Sequence, residues 1–361
     1  MRKTPLLSII LTGIIGTSLA SCSQDEPEVN LHQGMAIDFR PAMASRAAET
    51  TNANLTDIYV TAIETGSTDN YFSNLQFTKG NDGFFSSETK YYWPGDNNTL
   101  TFYAYAPSQD DMGADVIIDN TTKQITNFIT PTEISQQIDI ITATATGDRK
   151  DNEASGVPLT FKHILSQIEI DAKSESKAYK YVVAGARIGR AATTGTYDFT
   201  TGQWTLDMWH ETEVYATSCD SVTLSATPVS IMGASGNAML IPQQLTPWMP
   251  VGDPDNAARA AYLSVLIRVT TVDGALVYPS PTETKSREYG WVALPIDTKW
   301  EAGKKYVYVL DFTHGAGYHD PDDPNPGQSV LGDPIKITVD VSDWTSSSSD
   351  IDMPHGGGRI Y

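Results

Sequence analysis

The amino-acid sequence predicts an all-β protein built from β-sandwich domains, and three observations support that prediction. Apolar and polar residues alternate with a period of two in many short segments, which Gly, Asn, Asp and Pro bound. Threonine and tyrosine, which favour half-buried pleated surfaces, recur within these segments. No amphipathic helix of about 10 or more residues separates them, as a parallel sheet would require. Short strands joined by turns are typical of antiparallel sandwiches.

The predicted strands follow one another at short intervals along the chain. In the first half they cover residues 35–39, 55–63, 71–77, 89–93, 100–105, 138–146, 157–165 and 167–172. In the second half they cover residues 181–188, 196–199, 203–206, 238–241, 262–270, 289–294, 306–312 and 335–341. The proline-rich segment 320–327 is predicted to be a surface loop, because proline is poorly tolerated in the centre of a sheet.

Aromatic side chains within these strands are the main core candidates, because each buries roughly 150–250 Å² when it is enclosed. In the first half of the chain the candidates are Trp93, Phe102, Tyr105 and Phe161. In the second half, one face of the strand over residues 306–312 carries Tyr306, Tyr308, Leu310 and Phe312. The segment from Trp300 to Gly303 is predicted to be a turn that leads into this strand.

The chain is long enough for two domains of ordinary size. Removal of an export signal over residues 1–21 from the 361-residue chain leaves 340 residues. One predicted strand ends at Leu165 and the next starts at Gln167, so we place the boundary near residue 165. The predicted domains are an N-terminal sandwich over residues 34–165 and a C-terminal sandwich over residues 166–361.

The N-terminus has the form of a lipoprotein export signal. Met1-Arg2-Lys3 is a short basic head, and residues 6–20 carry no charge but are too few to span a bilayer comfortably. The segment ends in Leu19-Ala20-Ser21-Cys22, where small residues fit the signal peptidase and the cysteine thiol takes a diacylglyceryl group. We therefore predict a signal peptide over residues 1–21, lipidation of Cys22, an acidic tether over residues 22–33, and exposure at the surface of the outer membrane.

Charge and cysteine content exclude some classes of partner and chemistry. The formal net charge is −20, and loss of Arg2 and Lys3 with the signal peptide makes it −22. Phosphates repel a chain this acidic, so nucleic acid is not a predicted partner. Because Cys22 is assigned to lipid, Cys219 has no intrachain cysteine partner, and we predict a small strand or core residue there rather than a nucleophile.

No motif in the sequence predicts an enzyme or a cofactor. The histidines form no dense metal motif with cysteine, and His163, in an otherwise mostly apolar strand, is predicted to be a satisfied buried or edge residue rather than a ligand. The chain lacks both a Gly-x-Ser-x-Gly elbow and a phosphate-binding glycine loop with lysine. Asp320, Asp322 and Asp323, close to His314 and His319, could hold a hard cation such as Ca²⁺. The favoured interpretation is a solvated acidic loop without a metal. Paired carboxylates for glycoside hydrolysis stay open, because such pairs need not be close in sequence.

A set of short phrases occurs in a fixed order across nearly all of the mature chain. The phrases are Ile37-Asp38-Phe39, Ser45-Arg46-Ala47, Trp93-Pro94 and residues 55–60, 100–107, 159–167, 240–244, 300–306 and 335–344. Together with the lipoprotein signal they resemble the fimbrillin family, the subunits of type V pili, including its fimbrillin-like lipoproteins. The resemblance implies two tandem transthyretin-like Greek-key β-sandwich domains and a role in fimbriae and adhesion.

The resemblance also implies a route of assembly. Polymerising subunits of that family are cut after an arginine in this region and lose their first strand. Arg46, between Ser45 and Ala47, is the predicted processing site, because the bond after Arg40 is a prolyl bond that resists trypsin-like attack. Strand exchange would then join other pilus subunits into a homo- or heteropolymer. A host protein or glycan is a further predicted partner. The alternative function is a surface lipoprotein that does not polymerise and binds carbohydrate.

Overall fold

The computed structural model describes residues 36–43, 55–95, 98–207, 212–233, 236–250, 256, 259–280 and 288–344. Within these residues the protein is all-β, as the sequence predicts, and helices α1 (Gln109–Met112) and α2 (Arg149–Asn152) are single turns. The first eleven strands are β1 Phe39–Met43, β2 Asp57–Glu64, β3 Asn70–Lys79, β4 Phe85–Ser86, β5 Leu100–Ala106, β6 Asp115–Ile118, β7 Lys123–Ile129, β8 Ile141–Gly147, β9 Val157–His163, β10 Ser166–Lys173 and β11 Tyr179–Ala192. The remaining strands are β12 Thr194–Asp198, β13 Gln203–Leu206, β14 Thr212–Thr223, β15 Val229–Ser230, β16 Ala238–Leu240, β17 Tyr262–Thr271, β18 Leu276–Tyr278, β19 Gly290–Pro295, β20 Lys304–Asp311, β21 Tyr318–His319 and β22 Lys336–Asp343.

Seven strands of the N-terminal half close into a barrel in the order β1-β4-β3-β2-β5-β8-β9. Because successive side chains of a strand point to opposite faces, every second residue of each strand enters the barrel, as Ile58, Val60 and Ala62 do in β2. Phe102 and Phe161 are fully buried in the same core, as the sequence predicts. The period-two pattern predicts the other strands of this barrel but not β4, and the strand predicted over residues 89–93 is wrong, because only an isolated bridge at Tyr92 forms there. The pattern also does not predict the closure that β1 provides.

The C-terminal half forms a sandwich of two sheets around a second core. One sheet has the order β15-β10-β20-β22 with β16 added to β10, and the other has the order β14-β11-β17-β19-β21 with β18 added to β17. The sequence predicts that one face of β20, continued by the residue after it, enters this core. The prediction is confirmed, because Tyr306, Tyr308, Leu310 and Phe312 are all buried there.

A four-stranded sheet joins the two halves of the chain. Its order is β13-β12-β7-β6, so two of its strands precede residue 165 and two follow it. β7 and β12 pair across the junction, with Thr194 opposite Ile129 and Tyr197 opposite Ile125. Under this sheet lies a third core, to which β5 contributes Tyr103 and Tyr105.

Candidate functional site

β1 is attached to the barrel unequally on its two sides. All five of its residues pair in parallel with residues 157–161 of β9, whereas only Phe39 pairs with β4, opposite Phe85. Just upstream, the Ile37 N–H donates to the Tyr91 carbonyl at 2.8 Å. Departure of β1 would therefore leave β4 and β9 with unpaired edges, which recruit other strands readily.

Two apolar side chains of this N-terminal segment, Ile37 and Phe39, belong to the barrel core. Pro41 is also buried, whereas Arg40 is exposed. The Phe39 ring lies edge-on against Phe77 and Phe102, with centroid distances of 4.8 and 5.1 Å. Since a buried side chain of this size contributes roughly 1.5–3 kcal/mol, the segment stabilises the barrel and its loss would open an apolar groove.

The first strand lies further along the chain than the sequence predicts. The pattern predicts a strand over residues 35–39, but β1 covers Phe39–Met43 and Pro41 is buried within it. Beyond Phe39, β1 continues its parallel pairing with β9, in which Pro41 lies opposite Leu159 and Met43 opposite Phe161.

Comparison with known proteins identifies the family of this chain. Residues 45–344, well over half of the sequence, match the family model described as fimbrillin-like. The chain belongs to the fimbrillin-like family. Fimbrium subunit Fim1C of Phocaeicola vulgatus is 24% identical in an alignment that covers 98% of this fimbrillin-like chain and 100% of Fim1C.

Two solved structures resemble the fold of this fimbrillin-like protein. A fimbrial protein from Bacteroides vulgatus matches with a TM-score of 0.60 and 16% identity, over 86% of this chain and 99% of that one. A proposed cell adhesion protein from Parabacteroides distasonis matches with a TM-score of 0.50 and 14% identity, over 87% of this chain and 100% of that one. At these identities the likeness shows a shared fold.

Two of the predicted site residues of this fimbrillin-like protein, Cys22 and Arg46, lie outside the described residues, as does the predicted signal peptide. Arg46 follows the last residue of β1, Met43, by three positions in the sequence. Among the described residues, no helix is long and apolar enough to cross a membrane.

Asp320 of the acidic loop is engaged by protein groups of the C-terminal sandwich. Its Oδ2 accepts a hydrogen bond from Ser264 Oγ and lies 4.0 Å from Arg187 Nη1. Burial raises the pKa of Asp320, although its hydrogen bonds and Arg187 oppose that shift. Only 1% of Asp320 is exposed, so the prediction of a solvated loop is wrong at this residue.

The other two candidate metal ligands also face basic groups. Asp322 Oδ1 lies 3.3 Å from Arg190 Nη2, and Asp323 Oδ1 lies 3.3 Å from His319 Nδ1. In the part of the chain that the structure describes, no three His, Cys, Asp or Glu side chains converge on a point where they could hold a metal ion. Asp320 and Asp322 thus fasten the loop to β11 and β17, whereas Asp323 pairs with His319 of β21.

Cys219 lies half-buried in β14 beside the C-terminal core. Burial raises the pKa of its thiol, and the neighbouring Asp220 charge acts in the same direction. A raised pKa disfavours the thiolate, which is the nucleophilic form of cysteine.

His163 ends β9 at the junction between the two halves of the chain. Its Nδ1 lies 2.7 Å from Asp139 Oδ2, and its ring stacks on Trp344 with centroids 4.3 Å apart. Burial alone would lower the pKa of His163, but the charge and hydrogen bond of the Asp139 carboxylate outweigh it and raise the pKa. The sequence predicts a satisfied buried or edge histidine here, and Asp139 is the partner that satisfies it.

We expect His163→Gln to remove a pH-dependent part of the stability. A raised folded-state pKa stabilises the fold at pH values below about 6.5, the unfolded value, and this contribution disappears as the pH rises through the folded value. The variant should therefore lose about 1–3 kcal/mol near pH 5.5 and less near pH 9. Urea unfolding at both pH values measures this, and His314→Gln, which changes an exposed histidine, is the control. An equal cost of His163→Gln at both pH values would contradict it.

Proposed function

We propose that this protein is a structural subunit of a cell-surface fimbria that contributes to adhesion, and not an enzyme. The observation that carries the proposal is the position of β1 in the barrel. This strand closes the barrel by pairing along its whole length with β9 and through one residue, Phe39, with β4. Membership of the fimbrillin-like family supports it, as does the similarity to a fimbrium subunit of Phocaeicola vulgatus.

Assembly proceeds by strand exchange after cleavage at Arg46. The sequence between β1 and β2 is small and polar, the composition of exposed segments that proteases cut. Cleavage there separates β1 from the rest of the barrel, so its departure costs only non-covalent contacts. The open groove then accepts a donor strand from a neighbouring subunit by β-augmentation. Such a contact is head-to-tail, and it builds a filament instead of a closed dimer.

The subunit reaches the surface as a lipoprotein. After removal of residues 1–21, lipid on Cys22 anchors the protein to the outer membrane until cleavage at Arg46 frees it from the lipid. Its partners are other subunits of the same pilus and a host protein or glycan.

The finer fold is part of the same proposal. We assign residues 34–165 and 166–361 to two tandem transthyretin-like Greek-key domains. The change of partners between β9, in the barrel, and β10, in the sandwich, supports this division.

The variant Arg46→Ala tests the assembly route. We expect it to reach the cell surface at the wild-type level, but to give no ladder of polymers on native gels and no filaments by electron microscopy. Arg40→Ala is the matched control, because Arg40 is exposed in β1 and precedes a proline. Wild-type ladders from Arg46→Ala would refute processing at this residue. A monomeric wild-type protein with saturable binding on a glycan array would instead support the carbohydrate-binding alternative.

A further inference from the structure

The wall of the barrel opposite β1 is packed on both of its faces. In the barrel order, β2 and β5 lie farthest from β1. Phe102 and Ala104 of β5 belong to the barrel core, whereas Tyr103 and Tyr105 belong to the core shared with the C-terminal half. The position of β5 therefore depends on packing from both halves of the chain.

Two consecutive residues of β5 connect the β1 site to the C-terminal half. Phe102 packs against Phe39 of β1, with ring centroids 5.1 Å apart. Tyr103 packs edge-on against Phe199, with centroids 6.1 Å apart and an interplanar angle of 84°. Phe199 directly follows β12, and its N–H donates to the Lys123 carbonyl at 2.9 Å. Two packed ring pairs, Phe39–Phe102 and Tyr103–Phe199, thus lie on opposite faces of β5 and are linked through its backbone.

The neighbouring strand β8 is fixed from the same side. Thr142 Oγ1 and the Tyr197 hydroxyl lie 3.1 Å apart in a buried hydrogen bond between β8 and β12. The Met239 N–H donates to Gln137 Oε1 at 2.7 Å, a second buried bond across the junction. These contacts leave out β1 altogether, so its departure does not break them.

We propose that Phe199 and Tyr197 are positioning residues for strand exchange, which hold the β5–β8 wall in place while the groove is empty. Loss of Phe39 removes packing from the inner face of this wall, and an unsupported wall collapses into such a space to reduce the cavity. Packing on the outer face opposes that movement, so the groove keeps the shape that an incoming strand needs. The inference rests on the proposed function, because it matters only if β1 leaves.

The test releases β1 at an added protease site, so that its result does not depend on natural processing at Arg46. A site for a sequence-specific protease replaces residues 45–47 of the full mature chain, which is then cut in vitro. The cut protein is mixed with a fluorescent peptide of residues 34–44, and fluorescence anisotropy measures its uptake in exchange for the resident strand. The compared proteins are wild type, Phe199→Ala and the matched control Phe312→Ala, whose ring packs with Tyr181 in the C-terminal core and is not part of the shared core.

We expect the cut wild-type chain and Phe312→Ala to take up the peptide to within about twofold of each other, and Phe199→Ala to take up about three- to tenfold less. Equal uptake by wild type and Phe199→Ala would overturn the positioning role and leave strand exchange intact. Absence of uptake by the cut wild-type chain would overturn strand exchange itself, and the positioning role with it.

A milder variant keeps the inference testable if Phe199→Ala does not fold. In Phe199→Leu, hydrogen exchange of the β5 amides is measured before and after β1 has been released. We expect exchange to match wild type while β1 is in place and to become several-fold faster than wild type once it has gone. Identical exchange in the β1-free forms would contradict the role of Phe199, and restored uptake in Phe199→Tyr would support it.

Discussion

Replacing Phe39 with alanine is expected to lower the free energy of unfolding of the uncut chain by about 3–5 kcal/mol. Phe39 is fully buried, lies edge-on against Phe77 and Phe102, and is the one residue at which β1 pairs on both sides. Truncation leaves a cavity in the centre of the barrel and removes the ring that fixes the closing strand. Urea unfolding followed by circular dichroism measures the change.

Arg40→Ala is the control for the Phe39 prediction. Arg40 is adjacent on β1 but exposed, so we expect a change within about 0.5 kcal/mol. A Phe39→Ala protein no less stable than Arg40→Ala would show that β1 is not packed into the barrel. The groove on which the proposed assembly depends would then not exist.

The second large effect is expected at Trp300, which begins the turn before β20. Trp300→Ala should cost about 3–5 kcal/mol, because Trp300 is 1% exposed in the C-terminal core and its Nε1 donates to the Tyr308 hydroxyl at 2.9 Å. The turn itself is fixed by the Glu301 N–H, which donates to the Tyr306 hydroxyl, and by Gly303, whose φ of 69° favours glycine.

The variant Trp300→Phe separates the two contributions of the indole. It retains most of the apolar contact but removes the donor to Tyr308, so we expect a smaller loss of about 1–3 kcal/mol. Thermal or urea unfolding of both variants gives the comparison. If Trp300→Ala were no more destabilising than Trp300→Phe, the indole would not be a packed element of the core.

Local sequence pattern predicts much of this fold because each strand has one face that must be buried. Alternation alone assigns Tyr306, Tyr308, Leu310 and Phe312 to a core face, and the structure buries all four. Alternation also predicts many of the short strands that turns connect. What alternation cannot specify is which strands become neighbours, and so it does not predict the parallel pairing of β1 with β9.

The sheet that joins the two halves shows where the pattern fails. The pattern predicts neither β6 nor β7. In β7 the period of two is interrupted at Asn127, which has a positive φ of 59°. The register against β12 shifts at this point, between Gly195 and Tyr197. Ile125 and Phe128 are both buried although they lie three positions apart, a spacing that an uninterrupted period of two does not give. Such a bulge depends on a partner strand far away in sequence.

The candidate sites also divide into features that local sequence predicts and features that depend on tertiary contacts. The sequence predicts a satisfied histidine at residue 163, but Asp139 becomes its partner only through the pairing of β8 with β9. The sequence predicts a solvated acidic loop, yet Asp320 is buried against Ser264 and Arg187 from strands far upstream. Cys22 and Arg46 rest on short local motifs, which need no tertiary structure to be found.

The most direct measurement of the central claim is the N-terminal sequence of the subunits in purified surface filaments, read together with their intact mass. If β1 is lost on assembly, the subunits begin at Ala47 and carry no lipid, and residues 22–46 are absent. Filament subunits that begin at a lipidated Cys22 and retain residues 36–43 would contradict strand exchange triggered by cleavage at Arg46.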